Sequence, residues 1–191
     1  MKIVSSNVYV GPNIYAHFPV IRHIVDIGVL EDYPSAKLGE SFITPLIEAL
    51  PGLEEHGCSY REPGGFIRRL REDEGTWMGH IWEHVILELQ CMAGTEVTFG
   101  KTRSTGEPGQ YNMVFEYQQR DVGLEAAKLG RDLMISLLPE DIQAQLDTKL
   151  EDDFDFEDEL HQFIRYAQKK EFGPSTGSLV KAGEDRGIPW I

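Results

Sequence analysis

An α+β domain is what this sequence predicts: a small, mainly antiparallel sheet packed with helices on one side, followed by a helical carboxy-terminal extension. Three observations carry that expectation. Two β-rich runs open the chain, a second pair of period-two runs flanks a Gly- and Pro-rich tip after residue 100, and helical periodicity fills most of the remainder.

The first strand is predicted over Lys2 to Val10, closed by Gly11-Pro12-Asn13, and the second over Pro19 to Ile27 with partial alternation. After turn residues around Tyr33-Pro34-Ser35, Ser41 to Leu50 has the pattern of a short amphipathic helix stopped by Pro51-Gly52. The loop that follows holds His56 and Cys58, soft ligand types that by themselves fall short of a zinc site, and it reads as structural. Pro63 to Arg71 starts a short basic helix with Arg68, Arg69 and Arg71, suited to carboxylates or simply to solvent.

The central helix is expected over Thr76 to Gly94, with Thr76 as cap and Gly94 as terminator. At about 100° per residue, Met78, Ile81, Trp82, Val85, Ile86, Leu89 and Met92 share one broad apolar face. His80, Glu83, His84, Leu87, Glu88 and Cys91 share the other, and that mixture of polar and apolar groups suits the wall of a cleft better than open solvent.

Beyond Gly94, Glu96 to Arg103 reads as a strand and Gln110 to Tyr117 as its return, a hairpin beside the helix. Its period of two sets Asn112, Val114 and Glu116 on one side and Tyr111, Met113, Phe115 and Tyr117 on the other. Val122 to Leu138 is helical, a second helical pair follows Pro139, and a short helix lies after Gly173-Pro174. The expected boundaries are a domain over 1–138, an acidic helical extension over 139–172 and a linker over 173–191. The final Trp190-Ile191 suggests a chain cut at a boundary.

Lys and Arg number 18 against 32 Asp and Glu, a net charge of −14, which argues against nucleic acid and anionic membranes and favours cationic partners. Much of the excess lies in Glu151 to Glu159, read as a solvated helix face. Two cysteines make no disulfide framework, and with neither a signal peptide nor a long apolar span the cytoplasm is expected.

His80, Glu83 and His84 spell H-x-x-E-H, the inverted metallopeptidase pattern. Residues four apart lie one turn apart on one side of a helix, so two imidazoles can meet one Zn²⁺ with Glu83 beside them as base for a water. A hydrogen-bonded polar cluster is the other reading of the same three residues. A zinc site needs a third ligand, and Glu88 lies about 12 Å along the axis from His80, too far to share the ion. Glu116, a carboxylate in an apolar strand, is the first choice, since such a group needs a partner.

The segments Gly11-Pro12-Asn13, Leu50 to His56, Met78 to Gln90, Phe99 to Arg103, Tyr111 to Tyr117 and Gly173 to Thr176 together resemble the amino-terminal domain of cyanophycin synthetase, over nearly the whole chain. The resemblance implies a multidomain, cytoplasmic, homo-oligomeric enzyme. In it this domain precedes ATP-grasp and Mur-ligase-like domains, absent here, which use ATP and Mg²⁺ to extend arginine-decorated poly-aspartate. For this piece it implies binding of that polymer, cyanophycin, and in members with H-x-x-E-H a metal-dependent hydrolase that cuts it into primers. Carried across, His80 and His84 are ligands and Glu83 the base, while Lys101, Arg103 and Arg68 suit the polymer's carboxylates and the acidic surface its guanidinium groups. A non-catalytic module holding polymer for the ligase domains is the alternative, and the acidic segment from Leu150 to Lys170 does not align in detail.

Overall fold

The structure, a computed structural model, describes residues 1–171 and 173–188. The expected terminal Trp190-Ile191 lies outside the described residues. Strands β1 (Lys2–Tyr9), β2 (Val20–Asp26), β3 (Gly100–Ser104) and β4 (Gln110–Glu116) form a four-stranded sheet in the order β1-β2-β4-β3. Every pairing is antiparallel. Around it run helices α1 (Ser35–Leu38), α2 (Glu40–Ala49), α3 (Gly65–Arg71), α4 (Met78–Met92), α5 (Arg120–Ser136), α6 (Glu140–Gln143), α7 (Phe156–Lys170) and α8 (Pro174–Glu184), which makes the fold α+β.

The sheet is built from two hairpins joined at β2 and β4, with Ile21 opposite Phe115 and His23 opposite Met113. Because side chains alternate, Ile21, Val25, Met113 and Phe115 share one face, where they are buried in the core with α4 and α5. Asn112, Val114 and Glu116 point the other way, as their period of two requires.

Helix α4 packs on β3, β4 and α5, and every residue from Ile81 to Gln90 is buried. Burial of each of Ile81, Val85, Ile86 and Leu89 contributes roughly 1.5–3 kcal/mol, and the indole Nε1 of Trp82 donates to the Ala127 carbonyl of α5 at 2.8 Å. Gly94 ends the helix at φ +96, as expected of a residue that tolerates that geometry. Thr76 does not cap it. Trp77 holds the cap position without a side-chain bond, and the Thr76 hydroxyl pairs instead with His80.

The strand expected from Glu96 begins only at Gly100, because the Thr98 and Phe99 amides donate to the Glu116 carboxylate instead of a neighbouring strand. The acidic run is exposed to solvent as expected, but only its last part is helical. Helix α7 starts at Phe156, Asp155 caps it by accepting from the Asp158 amide, and Glu157, Asp158 and Glu159 occupy its first turn, where the helix dipole favours negative charge. Phe163 and Ala167 seat α7 in the same core through α5. Among the described residues no helix is long and apolar enough to cross a membrane.

Candidate metal centre and cleft

The polar edge of α4 forms one wall of a cavity of about 1140 Å³, and His80, Glu83, His84, Leu87, Glu88 and Cys91 all line it. The His80 and His84 rings lie 4.8 Å apart, edge to face, and Phe66 of α3 stacks on His84 at 4.0 Å, which fixes that ring's plane. Thr76 Oγ1 sits 2.9 Å from His80 Nδ1, leaving Nε2 facing Cys58 Sγ at 3.5 Å.

Cys58 arrives from the 3₁₀ turn Cys58–Tyr60 at φ 46, a left-handed conformation that only a surrounding structure can hold in a residue with a Cβ. One donor atom from each of Cys58, His80 and His84 lies within 4.8 Å of the other two, so the three could hold a metal ion.

Two glutamates of α4 are each seated against a glycine. A Cβ on Gly100 would fall 2.3 Å from Glu83 Oε1, and one on Gly52 would fall 2.1 Å from Glu88 Oε1, so no other residue fits at either place without moving the carboxylate. Thr102 Oγ1 donates to Glu83 Oε2 at 2.6 Å, and His56 Nε2 lies 3.2 Å from Glu88 Oε2.

Burial sets the protonation of these groups. It pushes Glu83 up to about 7 against the opposing pull of the Thr102 bond and Arg103. It holds His80 down to about 4, with Arg69 and Arg103 acting the same way, and it keeps His84 well below the usual imidazole range, with His80 and His56 adding to the effect. Neutral imidazoles beside a carboxyl whose proton exchanges near neutrality suit both metal ligation and proton transfer.

Residues 22–139, which include every one of these groups, match the cyanophycin synthase-like N-terminal domain family. The chain belongs to that family. It is 40% identical over 196 residues to the cyanophycin synthetase of Trichormus variabilis and 37% identical over 193 residues to that of Geminocystis herdmanii. Each alignment takes in the whole of this chain and 20% or 21% of the relative, so the chain spans about a fifth of the length of the curated relatives it matches.

Within this cyanophycin synthase-like domain, Cys58, His80 and His84 could hold a metal ion. Zn–S near 2.3 Å and Zn–N near 2.05 Å would give a tetrahedral S···N edge of about 3.6 Å, close to the 3.5 Å between Cys58 and His80. Three protein ligands would leave a fourth position for water or substrate.

The structure brings His80, Glu83 and His84 together, and Lys101 and Arg103 line the same cavity. It does not bring Glu116 to them. Glu116 projects from the sheet face away from α4, and its Oε2 already accepts the Thr98 and Phe99 amides at 3.0 and 3.1 Å. The need for partners is met by local backbone.

Arg68 is likewise engaged elsewhere, bonded to Glu72 and resting over the Tyr60 ring, whereas its neighbour Arg69 lines the cavity together with Arg61. Sequence reasoning places Glu88 on the cleft wall and Arg69 on a basic helix suited to carboxylates, but gives no site role to Cys58, His56 or Thr102. The signal available was the pair of soft ligands His56 and Cys58 two residues apart.

Proposed function

We propose that this domain binds the arginine-decorated poly-aspartate polymer and cuts within it as a metal-dependent endo-hydrolase that yields short primers. The observation that carries the reading is the convergence of Cys58, His80 and His84 donors beside a buried Glu83 on the wall of a large cleft. Cys58, His80 and His84 would hold the ion, which when bound supplies Lewis-acid polarisation of a carbonyl and makes water easier to deprotonate.

The chain's own part begins with Glu83, held at Oε2 by Thr102 and poised near neutral pH to take a proton from water as its oxygen joins the amide carbon. Glu83 then returns that proton to the amine as the C–N bond breaks. Arg69, Lys101 and Arg103 offer cations to the substrate's carboxylates, and Glu55 offers an acceptor to its guanidinium groups. The test is polymer added to the isolated domain with zinc and with a chelator. Short soluble products that disappear on chelation, and in Glu83→Gln, support hydrolysis.

A second reading is a holding module for ligase domains, and the cationic Arg61, Arg69, Lys101 and Arg103 around the cavity favour it. Retained polymer binding with no products under any metal condition would establish it in place of cleavage. In either case we place the domain in the cytoplasm, within a longer homo-oligomeric synthetase whose remaining domains are its partners. ATP and Mg²⁺ belong to those domains.

A further inference from the structure

His84 has a second neighbour that the H-x-x-E-H pattern does not contain. His56 Nδ1 lies 2.8 Å from His84 Nδ1, and His56 Nε2 lies 3.2 Å from Glu88 Oε2. Two nitrogens at that separation share one proton, and the far end of the chain decides which of them carries it. A carboxylate only accepts, and Glu88 is 7% exposed, so it requires a donor, which His56 provides as Nε2–H. A neutral imidazole with Nε2–H has a lone pair at Nδ1. His84 must therefore donate from its Nδ1–H, and its Nε2 keeps a lone pair.

We propose that His56 and Glu88 are positioning residues which fix His84 in the Nδ1–H tautomer and so present its Nε2 to the ion. The inference rests on the metal-site reading above, and it concerns a part of that site to which the pattern assigns no role. Partners of this kind orient a ligating imidazole and raise its basicity. Their own supports are visible. The Glu88 carboxylate occupies the space that a Cβ on Gly52 would take, and Gly52 belongs to the 3₁₀ turn Pro51–Glu55 that delivers His56. Phe66 stacks on His84 within 18° of parallel, so a ring flip, which would put Cδ2 in the place of Nδ1, must pass through a broken stack. His80 has a simpler partner at its Nδ1, the Thr76 hydroxyl, which can donate or accept.

The test reads the tautomers directly, by long-range proton–nitrogen correlation NMR on the metal-free domain at neutral pH. His84 is expected protonated at Nδ1 and His56 at Nε2. In His56→Leu and in Glu88→Leu the His84 signals should move toward a mixture of tautomers. Zinc affinity, measured by competition with a chromophoric chelator, should fall by about 10–100-fold. His56→Gln, whose amide can accept from His84 and donate to Glu88, should recover most of both.

The inference is overturned if His84 in the unmodified domain carries its proton at Nε2, or if His56→Leu changes neither tautomer nor affinity. It is also overturned if His56→Gln behaves like His56→Leu, since the effect is then packing. Should a leucine variant fail to fold, the spectrum of the unmodified domain and the His56→Gln variant still decide. Tautomers as expected with no polymer cleavage would sink hydrolysis and leave the relay standing, whereas cleavage with the opposite tautomers would do the reverse.

Discussion

Glu83 and Glu88 belong to one helix, stand five residues apart and are almost equally buried, at 3% and 7% exposed, yet they face different chemistry. Glu83 has a hydroxyl on one oxygen, a glycine against the other and the histidine pair beside it. Glu88 has an imidazole, and behind that imidazole the far side of His84. A carboxylate's role here is set by what reaches it from other elements, and its place on α4 decides only that it lines the cavity. On the proposals above, one glutamate would serve a water while the other orients a ring.

The sharpest way to break this comparison is to neutralise each in turn. Glu83→Gln should lower polymer cleavage by about 10²–10⁴-fold with zinc affinity nearly unchanged. Glu88→Gln should lower cleavage by less than about tenfold, because its amide oxygen still accepts from His56. Turnover of soluble product at saturating zinc checks both, and equal losses would erase the distinction.

The next effect contrasts the ligand that sequence pattern suggested with the one that the fold supplies. Cys58→Ser should weaken zinc binding by more than the roughly 10–100-fold that outer partners are worth, and Glu116→Gln should leave it unchanged. Chelator competition on both variants decides, and a larger loss in Glu116→Gln would restore the strand carboxylate as ligand.

Alanine at the two glycines tests whether the seats matter. In Gly100→Ala and Gly52→Ala the new Cβ lies 2.3 and 2.1 Å from a carboxylate oxygen at the mobile end of its side chain, so the carboxylate shifts before the backbone does. Each variant should lose about 1.5–3 kcal/mol of stability, the worth of a displaced hydrogen bond to a charged group. Only Gly100→Ala should lose cleavage in proportion to a misplaced base, while Gly52→Ala should lose zinc affinity. Urea unfolding beside turnover and metal titration separates the two.

What could be read in advance was whatever repeats with a period. Both faces of α4 were legible, down to the six residues that line the cavity, because 3.6-residue spacing survives any tertiary arrangement. The alternation in β4 was legible for the same reason, and it already placed Glu116 with Asn112 and Val114 on the face that turns away from α4. Cys58 was not, since it reaches the histidines through a short 3₁₀ turn at a left-handed φ, where no periodicity exists to extrapolate. Arg68 and Arg69 are adjacent on α3, and about 100° of rotation sends the first to Glu72 and the second to the cavity. Thr76 has a side chain suited to capping, but His80 competes for its hydroxyl and wins.

His23 sharpens the contrast by showing a buried ionisable group that no site has recruited. It is 1% exposed on β2, its Nδ1 meets Ser6 Oγ at 2.8 Å, and among the described residues its Nε2 has no hydrogen-bond partner. Burial alone holds it down to about 4. The folded state therefore keeps His23 neutral while the unfolded chain binds a proton below about pH 6.5, so the unfolded state carries more protons and stability falls as pH falls through that window. Above pH 6.5 the residue imposes no such loss, and below about 4 the loss stops growing. Between pH 7 and 5.5 it amounts to roughly 1 kcal/mol. His23→Leu should remove that increment, and it should also relieve the unpaired Nε2 at the expense of the Ser6 bond. Urea midpoints for the two proteins at pH 7 and 5.5 give the difference of differences, in which the similarly depressed His80 and His84 cancel. Identical pH slopes would mean that His23 becomes charged in the folded state without penalty, and that its burial does not govern its protonation.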